Sequence, residues 1–238
     1  MRAAQLASIL AVSAASVAHA FAPGGLAVGL RASRGEAALS GRGPWGLRMA
    51  GARREENSPG NLFVDESCIN CDTCRWMSPC FTQVNGKSAV TTQPDDDDDD
   101  ALFAAFQAMS SCPTGSIRME TPDPGWQPLV YDALRSFPAP IYEATEGIYH
   151  AGFHSKKSFG AASYFVHRAD EGKGNILVDS PRYFEPLARQ MEEMGGVEYM
   201  YLTHVDDIAD HERWAEKLGC KRIIHEREVE GSESLKNV

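Results

Sequence analysis

Cys68, Cys71 and Cys74 stand in a C-x2-C-x2-C triplet, and a remote Cys112 is followed directly by Pro113. Thiolates are soft anionic ligands, and three of them spaced by two residues let one loop wrap a corner of a compact inorganic object. The loop's backbone N–H groups can then point at the sulfurs and stabilise their charge. One loop cannot encircle such an object, so a fourth ligand must come from elsewhere, and Cys112 is the candidate. The chemistry this pattern fits is ligation of an iron–sulfur cubane, which gains and loses single electrons.

Other chemistries use the same residue types. Structural zinc also takes four cysteines, but usually as two C-x2-C pairs rather than a triplet plus one remote residue. Disulfides suit an oxidising compartment, and neighbouring thiols of one short loop make poor bridges. Cys80 is the alternative to Cys112, or a redox-active free thiol. In the usual bacterial run the fourth cysteine follows the third after three residues. Here that position is Ser78, so spacing disfavours Cys80. Cys220 lies in an apolar stretch and reads as a small buried hydrophobe. The chain holds no second triplet, so one cluster is expected. Asp65, Glu66 and Asp72 should lower its reduction potential, and Arg75 should raise it.

The ligands need elements to hold them. Leu62–Val64 reads as a short strand, and Phe81–Val90 as a hairpin turning at Asn85–Gly86. Ala101–Met109 reads as a helix with Leu102, Phe103, Phe106 and Met109 at helical spacing. The six aspartates Asp95–Asp100 precede it and read as a solvated loop at a helix start. Together with Cys112–Ile117 and Cys74–Met77, these features resemble the single-cluster 4Fe–4S ferredoxins over about residues 61–120. The resemblance implies an α+β ferredoxin-like domain with a 4Fe–4S cluster on Cys68, Cys71, Cys74 and Cys112, and one-electron transfer with redox partner proteins.

Residues 122–140 contain five prolines and read as a linker with one ordered stretch, Leu129–Leu134. After it, strand signals at Tyr142–Tyr149, Ala162–Val166, Asn175–Asp179, Val197–Thr203 and Arg222–His225 alternate with helix signals at Phe184–Met194 and Glu212–Leu218. This is an α/β pattern. Leu202–His211, with Gly147–Gly152, Gly160–Tyr164 and the strand ending in Asp179, resembles the metal loop and surroundings of the metallo-β-lactamase fold. That resemblance implies zinc or iron at His204, Asp210 and His211, and water activated for hydrolysis. Asp206 stands where the family's second His would be, and Asp210–His211 come two residues late. The stretch from 141 to 238 matches only the first half of the αββα sandwich, so the implied domain is incomplete. A polar loop beside a strand end is the alternative for His204 and His211. His150, His154 and His225 read as strand-surface residues.

The front of the chain is of another kind. Residues 1–59 carry a net +4 against −10 for the whole chain, which leaves −14 on residues 60–238. Arg2, an apolar run through Val17 and the A-x-A-like Ala18–His19–Ala20 form a signal-peptide pattern. Phe21–Ala22–Pro23 and an acid-poor, arginine- and serine-containing stretch follow, as in a transit peptide. The order resembles the bipartite presequence of algae with secondary plastids and implies the plastid stroma. An ordinary secreted protein is the alternative. The organisation read from sequence is a disordered presequence over 1–58, a ferredoxin-like domain over 59–121, a linker over 122–140 and the second domain over 141–238. The acidic body argues against nucleic acid, and no long apolar run after the presequence suggests a membrane span.

Overall fold

Asn85 and Gly86 both adopt positive φ (50° and 80°), the conformation that a two-residue hairpin turn requires and that these residue types tolerate. The turn sets the register of the ferredoxin-like region in the computed structural model. The structure describes residues 51–141, 146–168, 172–230, 232–236 and 238. Residues 1–50 of the expected presequence lie outside the described residues, as does the start of the strand expected from Tyr142.

The chain enters through β1 (Leu62–Val64) and passes the ligand loop into α1 (Thr73–Met77). It turns through the hairpin β2 (Phe81–Val84) and β3 (Lys87–Val90), runs α2 (Asp99–Ser111) and returns in β4 (Ile117–Met119). β4 pairs antiparallel with β1, Val64 opposite Ile117, and β2 pairs with β3, Phe81 opposite Val90. Leu62, Val64, Phe81, Val90, Ala105 and Ile117 bury a small core between these pairs and α2. The aspartate run has a local task. The Asp98 side chain accepts the Ala101 N–H at 3.0 Å, and Asp99 and Asp100 occupy the first turn of α2. Carboxylates there cap orphan amides and complement the helix dipole.

Two boundaries differ from the sequence expectation. Residues 51–58, read as the end of the presequence, are built into the ferredoxin-like region. Arg54 is buried and donates to the Ser88 and Val84 carbonyls, and the Asn57 side chain bonds both N–H and C=O of Val64. The predicted linker contains the helix α3 (Gln127–Arg135), which packs on α2 through Trp126, Phe106, Leu102 and Ala133. Prolines at its ends, rather than throughout, leave the helix interior intact.

From the end of that stretch one six-stranded sheet is built: β5 (Ala139–Pro140), β6 (Ile148–His150), β7 (Tyr164–Val166), β8 (Ile176–Val178), then β9 (Tyr199–Leu202) after helix α4 (Glu185–Glu193), and β10 (Lys221–Ile224) after helix α5 (His211–Leu218). A short helix, α6 (Glu226–Val229), follows. The sheet order is sequential, antiparallel from β5 to β8 and parallel from β8 to β10. Each parallel step carries a helix because parallel strands need a crossover. Trp214, Leu187, Met191, Met200, Leu177 and Phe165 form the core between sheet and helices. The architecture is mixed α and β.

Asp65 anchors the start of the ligand loop. Its buried carboxylate meets the Arg118 guanidinium at 2.6 Å and accepts the Ser67 N–H at 2.8 Å, while its carbonyl accepts the Cys68 N–H. Burial alone would raise its pKa, but the bonds from Ser67 and Arg118 hold it below the usual carboxylate value. A depressed folded-state pKa contributes stability above the unfolded value of about 3.9 and loses it as pH falls through the folded value. Asp65→Asn should therefore destabilise the protein at neutral pH by about 1–3 kcal/mol. It should also weaken the acid-dependent loss of stability below about pH 4, both read from denaturant melts across pH.

Candidate metal centre

The loop between β1 and α1 can wrap because of two residues between its cysteines. Asn70 (φ 58°) and Asp72 (φ 71°) are left-handed, a conformation that Asn and Asp adopt more readily than other side chains. The resulting turns bring Cys68, Cys71 and Cys74 onto one cavity. Its remaining wall is Cys112, just past α2, with Val64, Ile69, Pro113 and Ile117. The Asn70 N–H donates to Cys68 Sγ at 3.4 Å and the Ser116 N–H to Cys112 Sγ at 3.3 Å. Cys74 and Cys112 are buried, and Cys68 and Cys71 are half-buried.

Burial pushes the Cys74 thiol up to about 12, with the Ser88 hydroxyl partly offsetting it and the other three thiols adding to it. A thiolate at that position therefore needs a bound cation. Among the described residues no three His, Cys, Asp or Glu side chains close on a point that could hold one ion. Four thiols lining one cavity in a triplet-plus-remote spacing suit a cluster.

Residues 64–119 match the 4Fe-4S single cluster domain of Ferredoxin I. No curated protein matches the chain. The ferredoxin module thus binds a 4Fe–4S cluster, and all four cysteines lining the cavity lie inside the matched stretch. They fit the cofactor in number, in softness and in the amides aimed at their sulfurs. Cys80 does not line the cavity. It is buried in the module's apolar core and its backbone caps the β2–β3 pair through Thr91. Cys220 is likewise a core residue, on the sheet side, where burial raises its pKa.

The acidic residues near the loop differ from expectation. Asp65 is paired with Arg118, Glu66 with Lys87 at 3.1 Å and Asp72 with Arg75 at 2.5 Å. Each carboxylate has a cationic neighbour that offsets its charge at the loop. Arg75 also donates to Asn70 Oδ1 and Ser88 Oγ, bracing the loop against the hairpin.

The histidines are also corrected. His150 and His154, expected on a strand surface, are 4% and 1% exposed, because the end of β6 and the turn after it fold against the ligand loop. His154 Nδ1 lies 2.8 Å from the Gly160 carbonyl and 3.0 Å from Thr73 Oγ1, and its Nε2 lies 2.7 Å from His150 Nε2. Burial pushes His150 down to about 3 and His154 down to about 4, so both rings are neutral at physiological pH. The Trp76 ring packs edge-on against His150 at 4.9 Å. The contacts of Thr73 with His154 and of Trp76 with His150 join residues 81 and 74 positions apart, and no local pattern announces them. His225 is exposed, where its Nδ1 accepts the Arg227 N–H.

His204, Asp210 and His211 are not brought together as ligands. His204 is exposed, with Nδ1 accepting the Asp206 N–H. Asp210 bonds Lys157 Nζ at 2.7 Å and accepts the Tyr183 N–H at 3.0 Å. His211 is buried and its Nδ1 lies 3.1 Å from the Arg222 guanidinium. Each group is occupied by its own neighbour. Asp179, at the end of β8, accepts the Thr203 N–H and hydroxyl and ties two strand ends together.

Cys112→Ser should cut iron and acid-labile sulfide sharply, whereas Cys80→Ser should retain full cluster content at some cost in stability. Parallel iron, sulfide and visible-absorption measurements on the two proteins separate ligand from core residue.

Proposed function

We propose that this protein is a one-electron carrier of a plastid, its 4Fe–4S cluster held by Cys68, Cys71, Cys74 and Cys112. The observation that carries the reading is the placement of the ligand loop. Cys74 and Cys112 are buried, but Cys68 and Cys71 are half-buried, and Ile69 on the cavity wall and Trp76 in α1 are exposed apolar residues. That arrangement keeps the cofactor dry on one side and within reach of a partner on the other, as outer-sphere electron transfer needs. The bipartite pattern in residues 1–58 supports the plastid, the signal part acting first and the part from Phe21 second.

The second reading is a metal-dependent hydrolase of the metallo-β-lactamase type with a redox or structural cluster. β9 running straight into His204, with Asp179 bracing the junction, favours it. The separate partners of His204, Asp210 and His211 weigh against it, and so does Asp206 in place of a histidine. We therefore favour the electron carrier over the hydrolase.

In an anaerobic titration the protein should take up one electron per chain, give the EPR signal of a reduced cubane and pass that electron to an added soluble acceptor. A cluster that is loaded but cannot be cycled would reduce it to a structural role. A fluorescent protein carrying residues 1–58 should reach the plastid of an alga with a secondary plastid, and Phe21→Ala should hold it outside; secretion of the unaltered fusion would overturn the location.

A further inference from the structure

The region after the matched ferredoxin module does not merely follow it. It packs against the outer side of the ligand loop and the end of α2. Gly160 approaches Cys71 so closely that an added Cβ would stand 2.6 Å from Cys71 Cβ, and its φ of 87° also excludes other residues. The His154 N–H donates to the Ser111 carbonyl at 3.2 Å, next to Cys112. Arg182, partly buried, donates through Nη2 to the Ser110 carbonyl at 3.2 Å, two residues before Cys112. Its own N–H is tied to the Phe153 carbonyl at 2.8 Å, which holds the arginine to the same turn.

The proton positions follow from which atoms can donate. The Gly160 carbonyl can only accept, so His154 Nδ1 carries a hydrogen and donates. The same N–H faces Thr73 Oγ1, which leaves the Thr73 hydroxyl hydrogen for Cys71 Sγ at 3.3 Å. His154 Nε2 is then bare and accepts from His150 Nε2–H. The chain of bonds has one consistent direction, and it ends with a hydroxyl pointed at a cluster ligand.

Two effects of this packing have the same sign. A hydrogen bond to a ligand sulfur favours the more negative, reduced cofactor, and so does a cation beside another ligand. Burial works against the Arg182 charge, while Cys112 and Asp210 favour it. The three acidic residues around the loop are paired with cations, so these two devices are not opposed by isolated carboxylates.

We propose that the region after residue 136 raises the reduction potential of the cluster, through the Arg182 guanidinium beside Cys112 and through the Thr73 hydroxyl that His154 turns toward Cys71. Arg182, Thr73 and His154 are positioning residues, not ligands. The inference rests on the cluster being present but not on its physiological partner, because the midpoint is read from the cluster itself.

The test is a spectroelectrochemical midpoint on full-length protein whose iron and sulfide content has been measured. Arg182→Gln should shift the reduced-to-oxidised ratio at a fixed potential about tenfold toward oxidised, or about 59 mV for a one-electron couple. Arg182→Lys should keep most of the native midpoint. Thr73→Val, which preserves shape and removes the hydroxyl, should shift in the same direction, and Thr73→Ser should restore the native value. If Arg182→Gln does not hold a cluster, the Thr73 pair decides the matter alone. Loaded Arg182→Gln or Thr73→Val proteins with the native midpoint would overturn the proposal. So would Arg182→Lys moving as far as Arg182→Gln, since packing rather than charge would then be responsible.

Discussion

Four thiolates gathered in one cavity repel one another and are poorly solvated, and the rest of the structure answers that constraint. Cys74 shows it most directly, since burial, with the three neighbouring thiols adding to it, pushes its thiol up to about 12. The charge is tolerable only with iron bound and with donors aimed at the sulfurs. The left-handed turns at Asn70 and Asp72, the amides of Asn70 and Ser116 and the Thr73 hydroxyl supply those donors. The β1–β4 pair and α2 serve mainly to bring Cys112 to a loop forty residues away. Around this centre the carboxylates are each matched by a cation, which keeps further negative charge from accumulating.

The second region takes part in the same arrangement. The end of β6 and the turn after it lie against the ligand loop, with a glycine at the point of closest approach and two buried neutral histidines behind it. Neutrality matters here. A protonated imidazole in that position would be costly to bury, whereas a neutral one with a defined tautomer can direct a hydroxyl. The region outside the family match thus packs directly against the ligand loop and the end of α2.

Much of the module was legible from local spacing. The cysteine triplet, the Cys112–Pro113 pair, the Asn85–Gly86 turn and the helical apolar stripe each depend on residues a few positions apart, and all take their expected form. The strand and helix alternation after residue 146 was legible for the same reason. The boundaries were less so. Arg53 and Arg54 looked like the last basic residues of a presequence, yet Arg54 is buried among the β2 and β3 carbonyls, a role that no composition argument reveals. His204, Asp210 and His211 formed a plausible ligand string in sequence, but partners from other segments claimed each of them.

What the sequence by itself determined is the chemistry: four thiols with the spacing of a single cubane, in a chain with no second triplet. Ligand spacing in one loop is set by covalent geometry, so it does not depend on the rest of the fold. What only the tertiary structure decided is the setting of that chemistry. The pairing of Asp65 and Glu66, the burial of His150 and His154, and the placement of Arg182 on the Ser110 carbonyl, two residues before Cys112, arise where distant segments meet. Their energetic sign depends on distance and desolvation, which linear order does not encode.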